Sequence, residues 1–214
     1  MSQEPHHAGH DHDHAPAPDH DGSWSEYQYL EAALRELLIE KRVLSAEEVQ
    51  RQIEKMDART PALGARVVAK AWSDPAFKAR LLTDANAAVT ELGIEIQPTH
   101  LIALENTDKV HNMVVCTLCS CYPRNLLGVP PAWYKARAYR SRAVRDPRAV
   151  LAEFGTKLAD GAQVRVHDST ADMRYIVLPK RPAGSEGLSE EALAALVSRD
   201  SMIGVSLARR PGDA

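Results

Sequence analysis

The sequence has its most informative stretch at residues 114–123, which read Val114-Val115-Cys116-Thr117-Leu118-Cys119-Ser120-Cys121-Tyr122-Pro123. All 3 cysteines of the 214-residue chain fall within this stretch. A disulfide framework needs partners spread through the chain, and no cysteine lies elsewhere to close a long loop. The stretch therefore predicts thiol or metal chemistry on a loop that leaves the end of a strand.

Two kinds of metal site fit this spacing. A structural zinc site takes four ligands from two separated pairs, so zinc would need a nearby histidine, with His111 the closest candidate. The other arrangement is a plane of two sulfurs, from Cys119 and Cys121, and the two amide nitrogens of Ser120 and Cys121, with Cys116 at an axial position. Deprotonated amides demand a strongly Lewis-acidic ion, and thiolates favour iron or cobalt over magnesium or calcium. One coordination position then stays open for water or substrate.

Further runs accompany the cysteine stretch along the chain. They are Val68-Ala69-Lys70-Ala71-Trp72, Glu105-Asn106-Thr107-Asp108, Pro130-Pro131-Ala132-Trp133-Tyr134-Lys135, Tyr139-Arg140-Ser141-Arg142, Arg181-Pro182-Ala183-Gly184 and Asp200-Ser201-Met202-Ile203-Gly204. Together with the cysteines they resemble the alpha-subunit family of nitrile hydratase, over roughly residues 30–207. Threonine at position 117, where iron-type members carry serine, resembles the cobalt-type branch.

The resemblance implies a metal centre and the residues that form it. Low-spin Co(III), one per subunit, would be held by the sulfurs of Cys116, Cys119 and Cys121 and by the amides of Ser120 and Cys121, with iron the less favoured metal. Cys119 would become a sulfinic acid and Cys121 a sulfenic acid, two ordinary states of oxidised thiolates. The implied catalytic residues are Cys121, Cys119 and Ser120. The sulfenate oxygen of Cys121 would attack the nitrile carbon, or activate a water that attacks it, to give an amide.

The resemblance also implies partners. They are a beta subunit of one chain or two, an activator protein that inserts cobalt, and a small nitrile as substrate. The pocket would lie between the two kinds of subunit.

Two departures from the family pattern bear on the substrate. Nitrile hydratases usually follow Cys-Tyr-Pro with Trp-Pro, and this chain has Arg124-Asn125; they usually have Val-Trp-Asp, and this chain has Val166-His167-Asp168. Arginine at this place resembles the gamma subunit of cobalt thiocyanate hydrolase, in which a cation beside the site would attract a small anion. A surface or subunit-interface position is an equally good interpretation of Arg124. Asp168 is interpreted as an acceptor behind the site or at an interface.

Two other function classes are compatible with the cysteines. A metallochaperone for cobalt or nickel would bind metal reversibly and leave the sulfurs unoxidised. A redox sensor would form a reversible disulfide between Cys119 and Cys121. Neither explains the resemblance outside the cysteine stretch.

Composition predicts a soluble, cytoplasmic protein. With 44% hydrophobic residues, 214 residues suffice for one sizeable domain plus an arm, and no apolar run approaches the roughly 20 residues of a membrane helix. No positively charged start precedes an apolar segment, so a secretory signal is not expected. A net charge of −3 argues against nucleic acid as a partner. The basic stretch from Lys135 to Arg148 is interpreted as a solvated face or a contact with a second subunit.

The chain divides into four predicted segments: a disordered tail at 1–22, a helical arm at 23–60, a catalytic domain at 61–208 and a flexible end at 209–214. Helices are predicted at Ser25–Arg42, from Ser45, from Thr60-Pro61, at Ser73–Leu92 with Gly93 as its stop, and at Asp146–Phe154. Strands are predicted at 100–104, 110–115, 163–167 and 174–178. This mixture indicates an α/β fold, and the resemblance implies a four-layer α-β-β-α metal-binding domain.

The tail is rich in histidine and aspartate. Its imidazoles are His6, His7, His10, His12, His14 and His20, and its carboxylates are Asp11, Asp13, Asp19 and Asp21. This composition cannot form a core, but imidazoles beside carboxylates bind divalent transition metals. Capture of cobalt before it is loaded into the cysteine site is therefore our hypothesis for the tail.

Titration of a peptide covering residues 1–22 with Co(II) tests this hypothesis. We expect saturable binding at micromolar metal, because several imidazoles can reach one ion. The same peptide with every histidine replaced by asparagine is the control and should not bind. Absence of binding by the native peptide at micromolar Co(II) would remove the capture role.

Overall fold

The computed structural model describes residues 24–96, 98–118 and 121–213. The predicted tail at 1–22 lies outside these residues, as do Cys119 and Ser120. The chain falls into two compact units, Met1–Arg51 and Gln52–Ala214, whose boundary lies within the second helix.

The described residues form eleven α-helices and four β-strands. In chain order they are α1 Glu26–Glu40, α2 Ala46–Asp57, α3 Pro61–Ser73, α4 Pro75–Thr83, α5 Ala85–Thr90, β1 His100–Glu105, β2 Val110–Val115, α6 Arg124–Leu127, α7 Ala132–Lys135, α8 Arg137–Arg145, α9 Pro147–Glu153, β3 Gln163–Asp168, β4 Met173–Leu178, α10 Glu190–Ala195 and α11 Arg199–Ile203. The four predicted strands are confirmed within one residue at each end. The α/β class is confirmed, and the four-layer arrangement stays a prediction.

The first two helices begin directly after Ser25 and Ser45, where the sequence predicted their starts. The Ser25 amide donates to Gln28 Oε1 at 2.7 Å, and the Ser45 amide donates to Glu48 Oε2 at 2.7 Å. Each bond satisfies an amide that the start of the helix leaves without a backbone partner. Helix α1 ends before its predicted limit because Arg42 adopts a left-handed conformation with φ of 56°.

The single helix predicted over Ser73–Leu92 is wrong, because the structure has two helices there. Asp84 is extended, with φ of −143°, and its side chain accepts a hydrogen bond from the Ala87 amide. An aspartate at this place competes with helical hydrogen bonding and starts a new helix. Asp74 caps α4 in the same way, accepting bonds from the amides of Ala76 and Phe77.

The strands pair as two parallel ladders, β1 with β4 and β2 with β3. In the second ladder Val115 lies opposite Asp168, so the last residues of both strands are neighbours. Parallel strands place their carboxyl ends at the same edge. This register places Asp168 beside the start of the cysteine stretch.

The core of the second unit lies between these ladders and the helices around them. Its largest fully buried side chains include Tyr134, Phe77, Leu81, Met113 and Leu126. Helix α3 contributes Val67 and Val68, which are 0% and 1% exposed, so the predicted helix start at Thr60-Pro61 leads into the core. Among the described residues, no helix has the length and apolar character needed to span a membrane.

A buried polar network crosses this core. His111 donates through Nε2 to the Gly204 carbonyl at 2.7 Å and accepts through Nδ1 from Asn106 Nδ2 at 3.2 Å. Asn112 donates through Nδ2 to the Glu105 carbonyl at 2.8 Å. Burial lowers the pKa of His111, which keeps the ring neutral and fits one donor with one acceptor. The network ties the end of β1 to β2 and to the loop after α11.

Replacement of Gly204 by alanine tests how closely that loop approaches β2. Gly204 has φ of +88°, and a Cβ there would lie 2.0 Å from the Asn112 carbonyl oxygen. We expect Gly204→Ala to lower the free energy of unfolding by about 4 kcal/mol or more, because β2 backbone must move. The measurement is urea unfolding followed by far-UV circular dichroism.

Gly187→Ala is the matched control for this change. Gly187 has a similar φ of +78°, but a Cβ there meets nothing within 4 Å. It should lose only the roughly 1–2 kcal/mol that the left-handed conformation costs an L-residue. Equal losses in the two variants would contradict a steric role for Gly204.

Candidate metal centre

The cysteine loop begins where β2 ends. Cys116 follows Val115 directly and is 1% exposed, so its sulfur lies within the protein rather than at the surface. Cys121, at the other end of the loop, is half-buried. The remaining predicted ligands, Cys119 and Ser120, lie outside the described residues. The structure thus describes the two ends of the predicted donor set.

Asp168 holds the first turn of the loop. Its Oδ1 accepts a hydrogen bond from the Thr117 amide at 2.9 Å, and its Oδ2 accepts one from the Thr117 hydroxyl at 2.5 Å. The Thr117 carbonyl accepts a bond from Arg140 Nη1 at 3.1 Å. All hydrogen-bonding groups of Thr117 are therefore engaged. Hydrogen bonds to a charged group are stronger than neutral ones, so this turn is firmly oriented.

Two tyrosines hold the loop from the side of α7 and α8. The Tyr134 hydroxyl donates to the Cys121 carbonyl at 2.9 Å, and the Tyr139 hydroxyl donates to the Val114 carbonyl at 2.7 Å. Burial raises the pKa of both phenols above the ordinary value, so both remain protonated donors. The Tyr134 bond holds the end of the loop at Cys121, and the Tyr139 bond holds the strand just before the loop.

An aromatic cluster orients these tyrosines. The ring of Tyr134 lies edge-on to Tyr122 at 5.1 Å and to Trp133 at 6.0 Å, measured between centroids. Trp133 lies edge-on to Tyr139 at 4.9 Å. Such edge-to-face pairs are favourable and directional. The cluster restricts the positions that the two hydroxyls can take.

The histidines near the loop are structural. Both ring nitrogens of His111 are hydrogen-bonded within the core, which leaves neither for a metal. His167 donates through Nε2 to Asn112 Oδ1 at 2.9 Å, and burial lowers its pKa. Zinc held with His111 as a fourth ligand therefore lacks support. In the part of the chain that the structure describes, no group of three or more His, Cys, Asp or Glu side chains is arranged to hold a metal ion.

The basic stretch is partly used within the chain. Arg142 pairs with Glu153, and Arg148 donates to the Ala162 carbonyl. With Arg140 bound to Thr117, at least three of its arginines have intramolecular roles. A purely solvated face is therefore not the arrangement observed.

Arg124 lies just beyond the loop. It begins α6, follows Tyr122 and Pro123, and is exposed. No hydrogen bond or ion pair of its side chain occurs among the described residues. An exposed cation thus stands three residues after Cys121.

Sequence reasoning alone interpreted Asp168 as an acceptor behind the site or at an interface, and it assigned no site role to Tyr134, Tyr139 or Arg140. Their contacts show that they position the loop. Their sequence context held a signal, because the two tyrosines and the arginine lie in runs that carry the family resemblance, and Asp168 directly follows a predicted strand. Nothing in their spacing revealed which loop atoms they contact.

The donors present fit a soft transition-metal ion. Cys116 and Cys121 offer sulfur donors, and cysteine sulfur prefers such ions to magnesium or calcium. Hydrogen bonds to the backbone at Thr117 and Cys121 orient the loop, as partners behind a metal's ligands commonly do. The arrangement can therefore present sulfur and backbone donors from a loop whose ends are held.

Comparisons with known proteins agree with this chemistry. The family model described as nitrile hydratase, alpha chain, matches residues 25–206. The alpha subunit of low-molecular-weight cobalt-containing nitrile hydratase from Rhodococcus rhodochrous is 52% identical over 184 residues, covering 85% of this chain and 89% of that protein. The thiocyanate hydrolase gamma subunit of Thiobacillus thioparus is 44% identical over 200 residues, covering 88% of this chain and 82% of that protein.

A solved structure extends the comparison to the fold. Recombinant thiocyanate hydrolase comprising partially modified cobalt centers aligns with a TM-score of 0.82 and 42% identity, covering 89% of this chain and 93% of that chain. The family model spans nearly all the described residues, including both ends of the cysteine loop. The chain therefore belongs to the nitrile hydratase alpha-chain family.

Proposed function

We propose that this chain is the alpha subunit of a cobalt nitrile hydratase, which adds water to a nitrile to give the corresponding amide. The observation that carries the proposal is the cysteine loop, held at Thr117 by Asp168 and Arg140 and at Cys121 by Tyr134. Family membership supports it, and relatives 52% and 51% identical are named as cobalt-containing nitrile hydratase subunits.

The proposed ligands are the sulfurs of Cys116, Cys119 and Cys121 with the amide nitrogens of Ser120 and Cys121. One Co(III) per subunit is the proposed metal, because soft sulfur donors and the names of the relatives both favour it. When bound, the ion supplies Lewis acidity that polarises the nitrile. The burial of Cys116 supports this assignment, because a buried sulfur on the metal is protected from replacement by water.

Cys121 is the proposed reacting residue. In its sulfenic state, its oxygen attacks the nitrile carbon, and a water then attacks the sulfur, which releases the transferred oxygen with the product and restores the sulfenic group. Alternatively, the oxygen takes a proton from a water that attacks the nitrile carbon. Either route adds the elements of water across the carbon–nitrogen bond and breaks no carbon–carbon bond. Cys119, as a sulfinic acid, and Ser120 complete the proposed site, and both oxidation states belong to known cysteine chemistry.

Asp168, Arg140 and Tyr134 are the proposed positioning residues. They contact the loop backbone rather than the reacting atoms, so they act by fixing where Cys116 and Cys121 lie. A site held to within a fraction of an ångström needs such support.

The proposed partners complete the site. They are a beta subunit, as one chain or two, and an activator protein that inserts cobalt. The names of the relatives support the need for a partner, because these proteins are named as subunits. A small nitrile is the proposed substrate.

A second candidate function is thiocyanate hydrolysis, as the gamma subunit of a cobalt thiocyanate hydrolase. Arg124 favours it, because an exposed guanidinium without a partner in the described residues lies next to the loop. A cation there attracts an anionic substrate and gives a neutral nitrile no comparable advantage. The similarity to thiocyanate hydrolase gamma, at 44% identity, is lower than that to the nitrile hydratase relatives.

A direct comparison of the two reactions separates these functions. The cobalt-loaded complex, coexpressed with its neighbouring subunits, is assayed with a small nitrile and with thiocyanate. We expect amide formation to dominate and Arg124→Gln to leave it within about twofold, as for a surface residue. Thiocyanate breakdown with little amide, lost in Arg124→Gln, would instead assign the chain to the thiocyanate hydrolase branch.

Asp168→Asn tests the positioning of the loop. The substitution removes the negative charge of the carboxylate that accepts both hydrogen bonds from Thr117. We therefore expect cobalt content or kcat to fall about 10–100-fold. Metal is measured by mass spectrometry of the purified complex, and kcat by amide formation.

Asp172→Asn provides the control for this loss of charge. Asp172 is exposed, lies four residues further on, and has no side-chain partner among the described residues. It should retain cobalt and activity. A similar decline in both variants would show that net charge, rather than the bond to Thr117, is responsible.

A further inference from the structure

The guanidinium of Arg140 has a donor that the described part of the fold does not use. Its Nη1 donates to the Thr117 carbonyl at 3.1 Å. Its Nε is buried and has no hydrogen-bond partner among the described residues. A planar guanidinium places Nε and Nη2 side by side, as a pair of parallel donors that suits two oxygens of one anion. Arg140 thus contacts the cysteine loop through Nη1, and that bond leaves its Nε–Nη2 edge unoccupied.

The charge of Arg140 is not neutralised by a carboxylate in the part of the chain that the structure describes. No ion pair joins it to an aspartate or glutamate there, whereas Arg142, which is also on α8, pairs with Glu153. Asp168 also contacts Thr117, but both of its carboxylate oxygens accept hydrogen bonds from that residue. A half-buried guanidinium with a buried, unsatisfied donor favours an anionic partner.

Chain connectivity limits which group can be that partner. Arg140 is anchored on the carbonyl of Thr117, and two residues of chain span at most about 7 Å, so Cys119 cannot lie far from the anchor. Leu118, the residue between them, is apolar and 88% exposed. Of the loop residues that follow the anchor, Cys119 is therefore the first that can become an anion.

The proposed oxidation states make Cys119 the matching partner. A sulfinate spreads one negative charge over two oxygens, whereas a sulfenate such as that proposed for Cys121 has a single oxygen. Two parallel N–H donors fit two oxygens of one group, as they do in arginine–carboxylate pairs. Such charged pairs are stronger than hydrogen bonds between neutral groups.

We propose that the Nε–Nη2 edge of Arg140 binds both oxygens of the Cys119 sulfinate. This chain thereby supplies a counter-charge to its own oxidised cysteine, in addition to the bond that holds Thr117. The two contacts are N–H···O hydrogen bonds, and no covalent bond changes. The inference rests on the proposed function, because it requires the oxidised form of Cys119.

A comparison of oxidised and unoxidised protein tests the proposal. The cobalt-loaded complex is prepared in air and, separately, without oxygen, and mass spectrometry of the peptide that contains Cys119 counts the added oxygen atoms. Cobalt release to an excess of chelator is then timed for the native protein and for Arg140→Gln in both states. Loss of the bond to Thr117 should speed release by the same factor in each state. Loss of the charged pair should add about tenfold in the oxidised state alone.

Infrared spectra give a readout that a purely structural role would not change. Subtraction of spectra from samples oxidised with ordinary and with heavy oxygen isolates the S–O stretches of the cysteines. We expect Arg140→Gln to raise the sulfinate frequencies, because two donors that weaken the S–O bonds are lost. Arg140→Lys keeps the charge but has no planar pair of donors, so it should give a smaller shift. It is the decisive variant if Arg140→Gln does not assemble.

Arg142→Gln is the matched control. Arg142 lies on the same helix, and its replacement removes one positive charge and an exposed ion pair with Glu153. It should change neither the ratio of release rates between the two states nor the S–O stretches.

Two results would overturn the proposal, and the mass spectra separate them. One is equal acceleration by Arg140→Gln in both states, or unshifted S–O stretches, with oxygen present on Cys119. It would show that Arg140 only holds Thr117, or that a carboxylate of a partner subunit occupies its edge. The other is native protein prepared in air with no added oxygen on Cys119, which would remove the oxidised centre of the proposed function and the pairing with it.

Discussion

The Asp168 carboxylate and Thr117 make the interaction on which the arrangement of the cysteine loop depends. Their two hydrogen bonds join the residue that ends β3 to the first turn after β2. They form because the parallel register places Val115 opposite Asp168, so the strand that carries the acceptor ends where the loop begins. A charged acceptor with two donors orients the turn more strongly than neutral contacts would. The direction in which Cys116 and the following residues leave the sheet is set there.

The remaining supports act on the backbone at both sides of the loop. Tyr134 contacts Cys121, Tyr139 contacts Val114 and Arg140 contacts Thr117, all from the segment of α7 and α8. Edge-to-face packing among Trp133 and its tyrosine neighbours holds that segment. Apolar packing thereby fixes the positions of the polar groups that contact the loop, as a preorganised site requires. The same placement supports metal binding in either the nitrile or the thiocyanate reaction.

Local signals in the sequence predicted the secondary structure well where one interaction decides it. The strands, the capping residues Ser25 and Ser45, and the helix start at Pro61 are examples. The break at Asp84 was missed, because an aspartate within an apolar, alanine-rich run is compatible with a helix or with a new cap. The choice depends on the Ala87 amide and on packing against β1, which no short window contains.

The sequence by itself indicated the proposed chemistry of this protein: three cysteines in one short stretch require no tertiary information to predict a metal loop, and the runs around them identify the family. Tertiary structure alone decided how that loop is held. Asp168 lies 51 residues from Thr117 and Tyr134 lies 13 residues from Cys121, and only strand register and helix packing bring these pairs together. Arg59, Arg124 and Arg174 likewise line one cleft only after folding. Covalent spacing predicts which residues are the ligands, whereas the groups that contact the loop and the charge around it depend on contacts between distant segments.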